Sequence, residues 1–340
     1  MKQKGFFDEN DRLKEISRLG DPLEKLNKHI KWEGLHDFLT NVLTKEPKGL
    51  GGRPPFDYVM MFKILVLQKL YNMADDKTEF IIKDRLSFQR FLGLQLCDTV
   101  PDAKTIWNFR EELKEANILE TIFKRFVEQL EEKGIVTRSG SIVDATFVDV
   151  PKQRNTKDEN EDIKSGKIPE EWEKEGNQHK KAQKDVDARW ATKNKETHYG
   201  YKNHIKIDKE SKIITTYSAT SAEVHDSQEL KNLIEPEKDK VIYGDSAYTG
   251  EEVQSCIPET VENRIHEKGY RNHPLTKTQE QNNTKKSRTR VRVEHVFAAI
   301  NHFGGIFIRT IGKERADFQI GLMNLAYNLT RYTYIMGANA

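Results

Sequence analysis

Residues 141–150 read Ser-Ile-Val-Asp-Ala-Thr-Phe-Val-Asp-Val, a run dense in β-branched and aromatic residues and therefore a strand. Its apolar residues fall on both sides of the chain, as in a strand covered on both faces, where an unpaired Asp144 would be excluded. Downstream, residues 197–208 alternate, with Tyr199, Tyr201, Ile205 and Ile207 on one face, broken only by Asn203, and Lys202, His204 and Lys206 on the other. A polar turn from Asp208 to Lys212 leads into a further strand over Ile213 to Ala219, so the two predict a hairpin. Asp226 and Glu229 read as a capping box for a helix over Leu230 to Ile234. Lys240 to Tyr243 returns as a strand that ends at Gly244 and Asp245. Arg288 to His302 and Ala316 to Tyr334 read as helices, the second with Phe318, Leu322, Leu325, Ala326 and Leu329 on a core stripe. This order predicts a mixed α/β domain over residues 136–340, a mixed sheet flanked by helices.

Between the first strand and the hairpin, residues 151–188 hold 10 acidic and 9 Lys or Arg residues among 38, with few apolar ones. That balance predicts a charged insertion or flexible arm without a core of its own. Ahead of the sheet, residues 1–135 predict a separate all-helical domain. Pro22 to Leu43, Pro55 to Met73, Asp76 to Leu92 and Ala103 to Lys133 space their apolar residues by three and four, with Gly51, Gly52, Pro54 and Pro101 as punctuation. The last two segments, joined through Gly93 to Asp102, read equally as an ordinary bundle or as a helix-turn-helix that turns Thr105, Asn108 and Arg110 outward.

Composition removes other classes. The 340 residues are 36% hydrophobic and 32% charged, with 16 Phe, 11 Tyr and 4 Trp, enough to bury a core. The first ten residues carry no apolar leader, so no signal peptide is expected, and Asp57, Lys63 and Lys69 interrupt the best apolar stretch, so no membrane span is expected. Cys97 and Cys256 alone make neither a disulfide framework nor a zinc site, and their scarcity fits a reducing cytoplasm. The formal charge of +2 argues against a nucleic-acid partner only if the cations are evenly spread. They are not: Arg271 to Arg292 carries seven Lys or Arg against Glu280 alone.

Three acids occupy unusual places: Asp144 in mid-strand, Asp245 at a strand end beside Gly244, and Glu294 on a helix with largely apolar neighbours. Each has an ordinary reading, Asp245 as a loop cap and Glu294 as the ion-pair partner of Arg290 one turn earlier. Together, carboxylates delivered by two strands and a helix suit hard divalent ions such as Mg²⁺, two of which, about 3.5–4 Å apart, can serve the attacking and leaving oxygens of a phosphodiester. Asp149 competes with Asp144, but five residues is an odd offset, so the two face opposite sides of the sheet. Lys285, Lys286, Arg288, Arg290 and Arg292 stand shortly before Glu294 with no acid among them, which suits phosphate contacts.

Six ordered blocks, Gly52-Arg-Pro-Pro-Phe, Val100-Pro-Asp-Ala-Lys-Thr-Ile-Trp-Asn-Phe-Arg110, Ile142-Val-Asp-Ala-Thr146, His198-Tyr-Gly-Tyr-Lys-Asn-His204, Tyr243-Gly-Asp-Ser-Ala-Tyr248 and Arg290-Val-Arg-Val-Glu-His-Val-Phe297, resemble bacterial insertion-sequence transposases of family five, the InsH type. The resemblance implies a ribonuclease H-like catalytic domain whose Asp, Asp, Glu triad falls on Asp144, Asp245 and Glu294, holding two Mg²⁺ ions for which Mn²⁺ can substitute. It also implies a helical domain that helps recognise terminal inverted repeats, and hydrolysis at the element end followed by strand transfer into target DNA. The implied partner is double-stranded DNA, bound by a homodimer in a bacterial, nucleoid-associated cytoplasmic setting, with Arg110, Lys202, His204 and the basic run as DNA contacts. The family pattern around Glu294 carries a Tyr and a Lys where this chain has Ser287 and Asn301. A nuclease that cuts without joining, and a regulator derived from a transposase, are the alternatives.

Overall fold

The structure is a computed structural model that describes residues 8–44, 54–193, 195–271 and 273–338. Gly51, Gly52 and Arg53, read above as punctuation and as the start of the first block, lie outside the described residues. The chain forms two compact units, one of residues 1–119 with 325–340 and the other of residues 120–324.

The first unit is helical: α1 (Asp8–Arg18), α2 (Pro22–His29), α3 (His36–Leu43), α4 (Tyr58–Leu70), α5 (Asp75–Asp84), α6 (Leu86–Leu92) and α7 (Ala103–Glu115). Three of the four long helices expected from the apolar spacing are broken, each by backbone geometry that spacing does not reveal. Arg85 is extended (φ −111°, ψ 111°) between α5 and α6, and Asn117 adopts φ 48° between α7 and α8 (Ile118–Glu132). A 3₁₀ turn, Trp32–Leu35, separates α2 from α3. Helix α4 is the centre of this unit, because Met61, Phe62, Ile64, Leu65, Val66 and Leu67 are all buried and leave it no polar face. Asp57 caps it by accepting the Met60 N–H at 2.7 Å.

The second unit begins within α8, not after residue 135 as the composition suggested. The reason is the apolar side of α8: Phe123 packs edge-on against Tyr217, ring centroids 4.8 Å apart. After β1 (Ser141–Asp149) come α9 (Lys157–Lys164), α10 (Gln178–Gln183), β2 (Arg189–Lys193), β3 (Glu196–Asp208) and β4 (Ile214–Ser221). Then follow α11 (Leu230–Leu233), β5 (Val241–Tyr243), α12 (Glu251–Ser255), β6 (Glu262–Asn263), α13 (Lys277–Arg290), α14 (Arg292–His302) and α15 (Lys313–Ala338), the last belonging to the first unit from Leu325 onward. The sheet runs β2-β3-β1-β5-β6, with β4 also on β3. Strands β2, β4 and β1 are antiparallel to β3, and β5 and β6 continue parallel to β1, a ribonuclease H-like arrangement. One core cluster gathers Val143, Leu230, Leu233, Ile242 and Tyr248, and another Val148, Tyr199, Tyr201, Ile308 and Ile320. Gly200 (φ 150°) stands opposite Asp149, where a Cβ would come within 2.4 Å of the Val148 carbonyl oxygen, so β3 crosses β1 only with glycine there.

Two local expectations are corrected. Residues 151–188 are no flexible arm: Trp172 is fully buried, donates Nε1–H to Glu159 at 2.6 Å, and lies under the Lys184 ammonium at 4.7 Å. A capping box of Thr156 and Glu159 starts α9, and the Tyr201 hydroxyl donates to Asp185, tying the segment to β3. A single tryptophan supplies the apolar area that a count of residue types understates. Nor do Asp226 and Glu229 cap a helix. His225 is the N-cap of a 3₁₀ turn, Asp226 is buried against Lys202, and α11 spans only four residues.

Candidate active site

Asp144 and Asp245 leave neighbouring parallel strands, since Ile142 of β1 is level with Tyr243 of β5. Asp144 is 8% exposed and takes the Ala145 N–H on Oδ1 at 2.8 Å. Burial pushes its carboxyl up to about 6; the Ala145 N–H and the Arg290 charge pull against that, while the nearby Asp245 charge adds to it. Asp245 lies two residues past β5 and caps the turn Ser246–Tyr248 by accepting the Ala247 N–H at 2.8 Å. Glu294 sits in the first turn of α14 and is exposed, not buried as its apolar neighbours suggested: Val293 and Val296 face the core and Glu294 points away. The helix expected over residues 288–302 is in fact two, parted at Val291, and this junction separates Arg290 from Glu294.

Arg290 joins the site together. Its Nη1 meets Asp144 Oδ2 at 2.8 Å and its Nη2 meets Glu294 Oε1 at 3.1 Å, while its Nε is buried with no hydrogen-bond partner among the described residues. The guanidinium therefore stands between two of the three acids. Among the described residues no three of His, Cys, Asp and Glu are gathered as a metal-ligand cluster. The donors themselves are hard carboxylate oxygens, the type that Mg²⁺ or Mn²⁺ takes, so their chemistry fits such an ion.

The five cations before Glu294 divide into two sets. Lys285 and Arg288 are exposed and in no ion pair among the described residues. Lys286 is turned inward to the Ile265 carbonyl at 2.9 Å, and Arg292 holds the Lys209 carbonyl at 2.6 Å and Glu210 at 3.0 Å. Lys202, His204 and Arg110 do not stand as exposed phosphate contacts. The β1–β3 register sets Lys202 beside Phe147 and His204 beside Ala145, on the face opposite Asp144, and both are buried. Lys202 is paired with Asp226 at 2.8 Å, and His204 meets Thr220 at 2.8 Å, its ring driven down to about 4 by burial. Arg110, in the helical unit, bonds Asp75 at 3.0 Å and Gln68 at 2.9 Å, although Asn108 on the same helix is exposed. Alternation predicted two faces for β3 but not that both would be covered.

Two residues near the triad escaped the sequence reading. Tyr248 is fully buried with its hydroxyl unpartnered among the described residues, and burial with the charges of Asp144, Asp226 and Asp245 raises it well above its usual value. His266 follows β6 and meets Ser287 of α13. Nothing in the local pattern marks His266, since the contact joins residues 21 positions apart.

Residues 136–329, more than half of the chain, match the family model described as Transposase DDE domain, and that span contains the whole sheet and all three acids. The chain belongs to the DDE transposases. Residues 11–112 of the transposase match a second model, Transposase domain (DUF772), which covers most of its helical unit. Among solved structures the transposase is similar to a piggyBac transposase in a synaptic complex with hairpin DNA, at 12% identity and a TM-score of 0.45, over 94% of this chain and 76% of that one. It is a polynucleotidyl transferase of the DDE type. Among its described residues no helix is long and apolar enough to cross a membrane.

Proposed function

We propose that this transposase moves an insertion sequence of family five, with Asp144, Asp245 and Glu294 as its catalytic carboxylates. The observation that carries the reading is the Arg290 bridge, at 2.8 Å to Asp144 and 3.1 Å to Glu294, which draws a strand acid and a helix acid together beside Asp245. The three acids would hold two Mg²⁺ ions, or Mn²⁺. When bound, these supply Lewis-acid polarisation of the phosphodiester and offset its developing charge. Asp144 supplies a rigid, nearly dry carboxylate fixed by the Ala145 N–H. Arg290 balances the acids' mutual repulsion, and its guanidinium would meet an entering phosphate. Water cuts the phosphodiester at the element end, and the freed 3′ hydroxyl then exchanges one phosphodiester for another in target DNA. Two ends must be joined, so the working form is a homodimer on double-stranded DNA in the bacterial cytoplasm.

Incubating the chain with a duplex of the element's inverted repeat and a target plasmid is expected to give nicked ends and joined product with Mg²⁺, and neither with EDTA. Cleavage without joining would identify a nuclease instead, and specific end binding without cleavage a regulator. Lys285→Ala with Arg288→Ala is expected to weaken DNA binding and flatten the plot of log K against log salt by about two, roughly one per phosphate contact. Because Lys286 and Arg292 hold protein partners, changing them is expected to alter that slope less; an unchanged slope in the Lys285, Arg288 double variant would mark the pair as solvated surface.

A further inference from the structure

The segment after β6 is fastened along α13. Glu267 donates its N–H to Asn283 Oδ1 and accepts at its carbonyl from Asn283 Nδ2, both at 2.9 Å. Lys286 adds bonds to the Ile265 carbonyl at 2.9 Å and to Glu267 at 3.3 Å. His266, held between these, donates its backbone N–H to the Gly244 carbonyl at 3.1 Å, and its Nε2 lies 3.3 Å from Ser287 Oγ. A half-buried imidazole is thus fixed next to the peptide of Asp245 and one turn before Arg290, and among the described residues its second ring nitrogen holds no hydrogen bond.

Ser287 decides the tautomer. A hydroxyl has one proton; assigned to the shorter of its two contacts, the Asn283 carbonyl at 2.9 Å against His266 Nε2 at 3.3 Å, it leaves Ser287 Oγ to accept from an Nε2–H of His266. The lone pair of the neutral ring is then on Nδ1. Burial, with the charges of Arg290 and Lys286, lowers the ring's pKa against a smaller opposing pull from Asp245, which favours that neutral form. Ser287, where the family pattern has Tyr, gains a role as the group that orients this ring.

We propose that His266 belongs to the active site, where its Nδ1 accepts a hydrogen bond from the attacking hydroxyl, water in the cleavage step and the 3′ hydroxyl in the joining step, and aims that oxygen at phosphorus. The proposal rests on the transposase reading of Asp144, Asp245 and Glu294.

Single-turnover cleavage of an element-end duplex with Mg²⁺ tests it in wild type, His266→Ala, His266→Asn, His266→Gln and Ser287→Ala, with end binding measured by gel shift. Asn places an amide oxygen near the Nδ1 position, and Gln reproduces Nε2. His266→Ala and His266→Gln are expected to lower the cleavage rate about 100-fold at unchanged end binding, as for loss of a positioned proton acceptor. His266→Asn is expected to recover most of the rate, and Ser287→Ala to fall between. Full activity in His266→Ala, or rescue by Gln in preference to Asn, overturns the proposal and leaves His266 a strut for Ser287. A folded wild type that binds ends but cuts nothing overturns the transposase reading, and this proposal with it.

Discussion

Asp144→Asn is expected to reduce cleavage of element ends by at least about 10³-fold while leaving end binding within about twofold of wild type. The carboxylate is the most enclosed of the three acids, and its own strand cannot replace it: Asp149, the only other acid of β1, faces the opposite side of the sheet beside Gly200. Asn keeps the shape and the Ala145 N–H bond but loses the charge that a hard cation needs. Loss of fold is not the expected cause. Burial already holds the Asp144 carboxyl up at about 6, so at pH 7 its charge costs the folded state free energy that Asn does not. The variant is therefore expected to melt no lower than wild type at pH 7, as a trade of stability for function requires. Asp245→Asn and Glu294→Gln are expected to match it in activity, and any pair to be little worse than one, because the three act as a unit. Near wild-type joining by any single variant would remove that acid from the site.

What the sequence disclosed, and what it hid, follows the range of the interactions. Alternation and β-branched density place β1 and β3, and the odd offset between Asp144 and Asp149 places them on opposite faces, because a strand's period survives without knowledge of its partners. Whether Lys202 and His204 meet solvent depends instead on Asp226 and Thr220, which arrive from elsewhere in the chain, so a pattern that looked half-polar is buried from Tyr199 to Asp208. The basic run misleads in the same way, since charge density is local but the claims of Ile265, Asp144 and Lys209 on three of its members are not. The breaks at Arg85 and Asn117 are set by single backbone torsions inside a continuous apolar rhythm. Six ordered blocks implied the triad, but the Arg290 bridge that links two of its acids is a contact between residues 146 positions apart.

Lys206→Met is expected to cost the second unit about 3–5 kcal/mol, the usual penalty for removing one partner of a buried ion pair. The Lys206 side chain is fully buried, its ammonium 2.8 Å from Glu235 and 2.7 Å from Asp239. Asp239 is itself wholly enclosed, accepting from Ser141 Oγ at 2.7 Å and from the Glu235 N–H at 2.8 Å, and its nearest remaining cation would be Arg138 at 3.7 Å. The variant thus strands a buried carboxylate beside the inner strands β1 and β3. Acid should read the same network. Burial by itself would raise Glu235, but Lys206 and Arg138 together hold it at about 2, below its ordinary 4.5. A depressed carboxyl stabilises the fold at pH above 4.5 and loses that contribution as pH falls from 4.5 to about 2. In urea unfolding followed by fluorescence, wild type should weaken across that window, and Lys206→Met should start lower at pH 7 and lose less on acidification. Adding Asp239→Asn to Lys206→Met should restore part of the loss, since it removes the stranded charge. A Lys206→Met protein within 1 kcal/mol of wild type would mean that water reaches Asp239 and that the pair is not buried in solution.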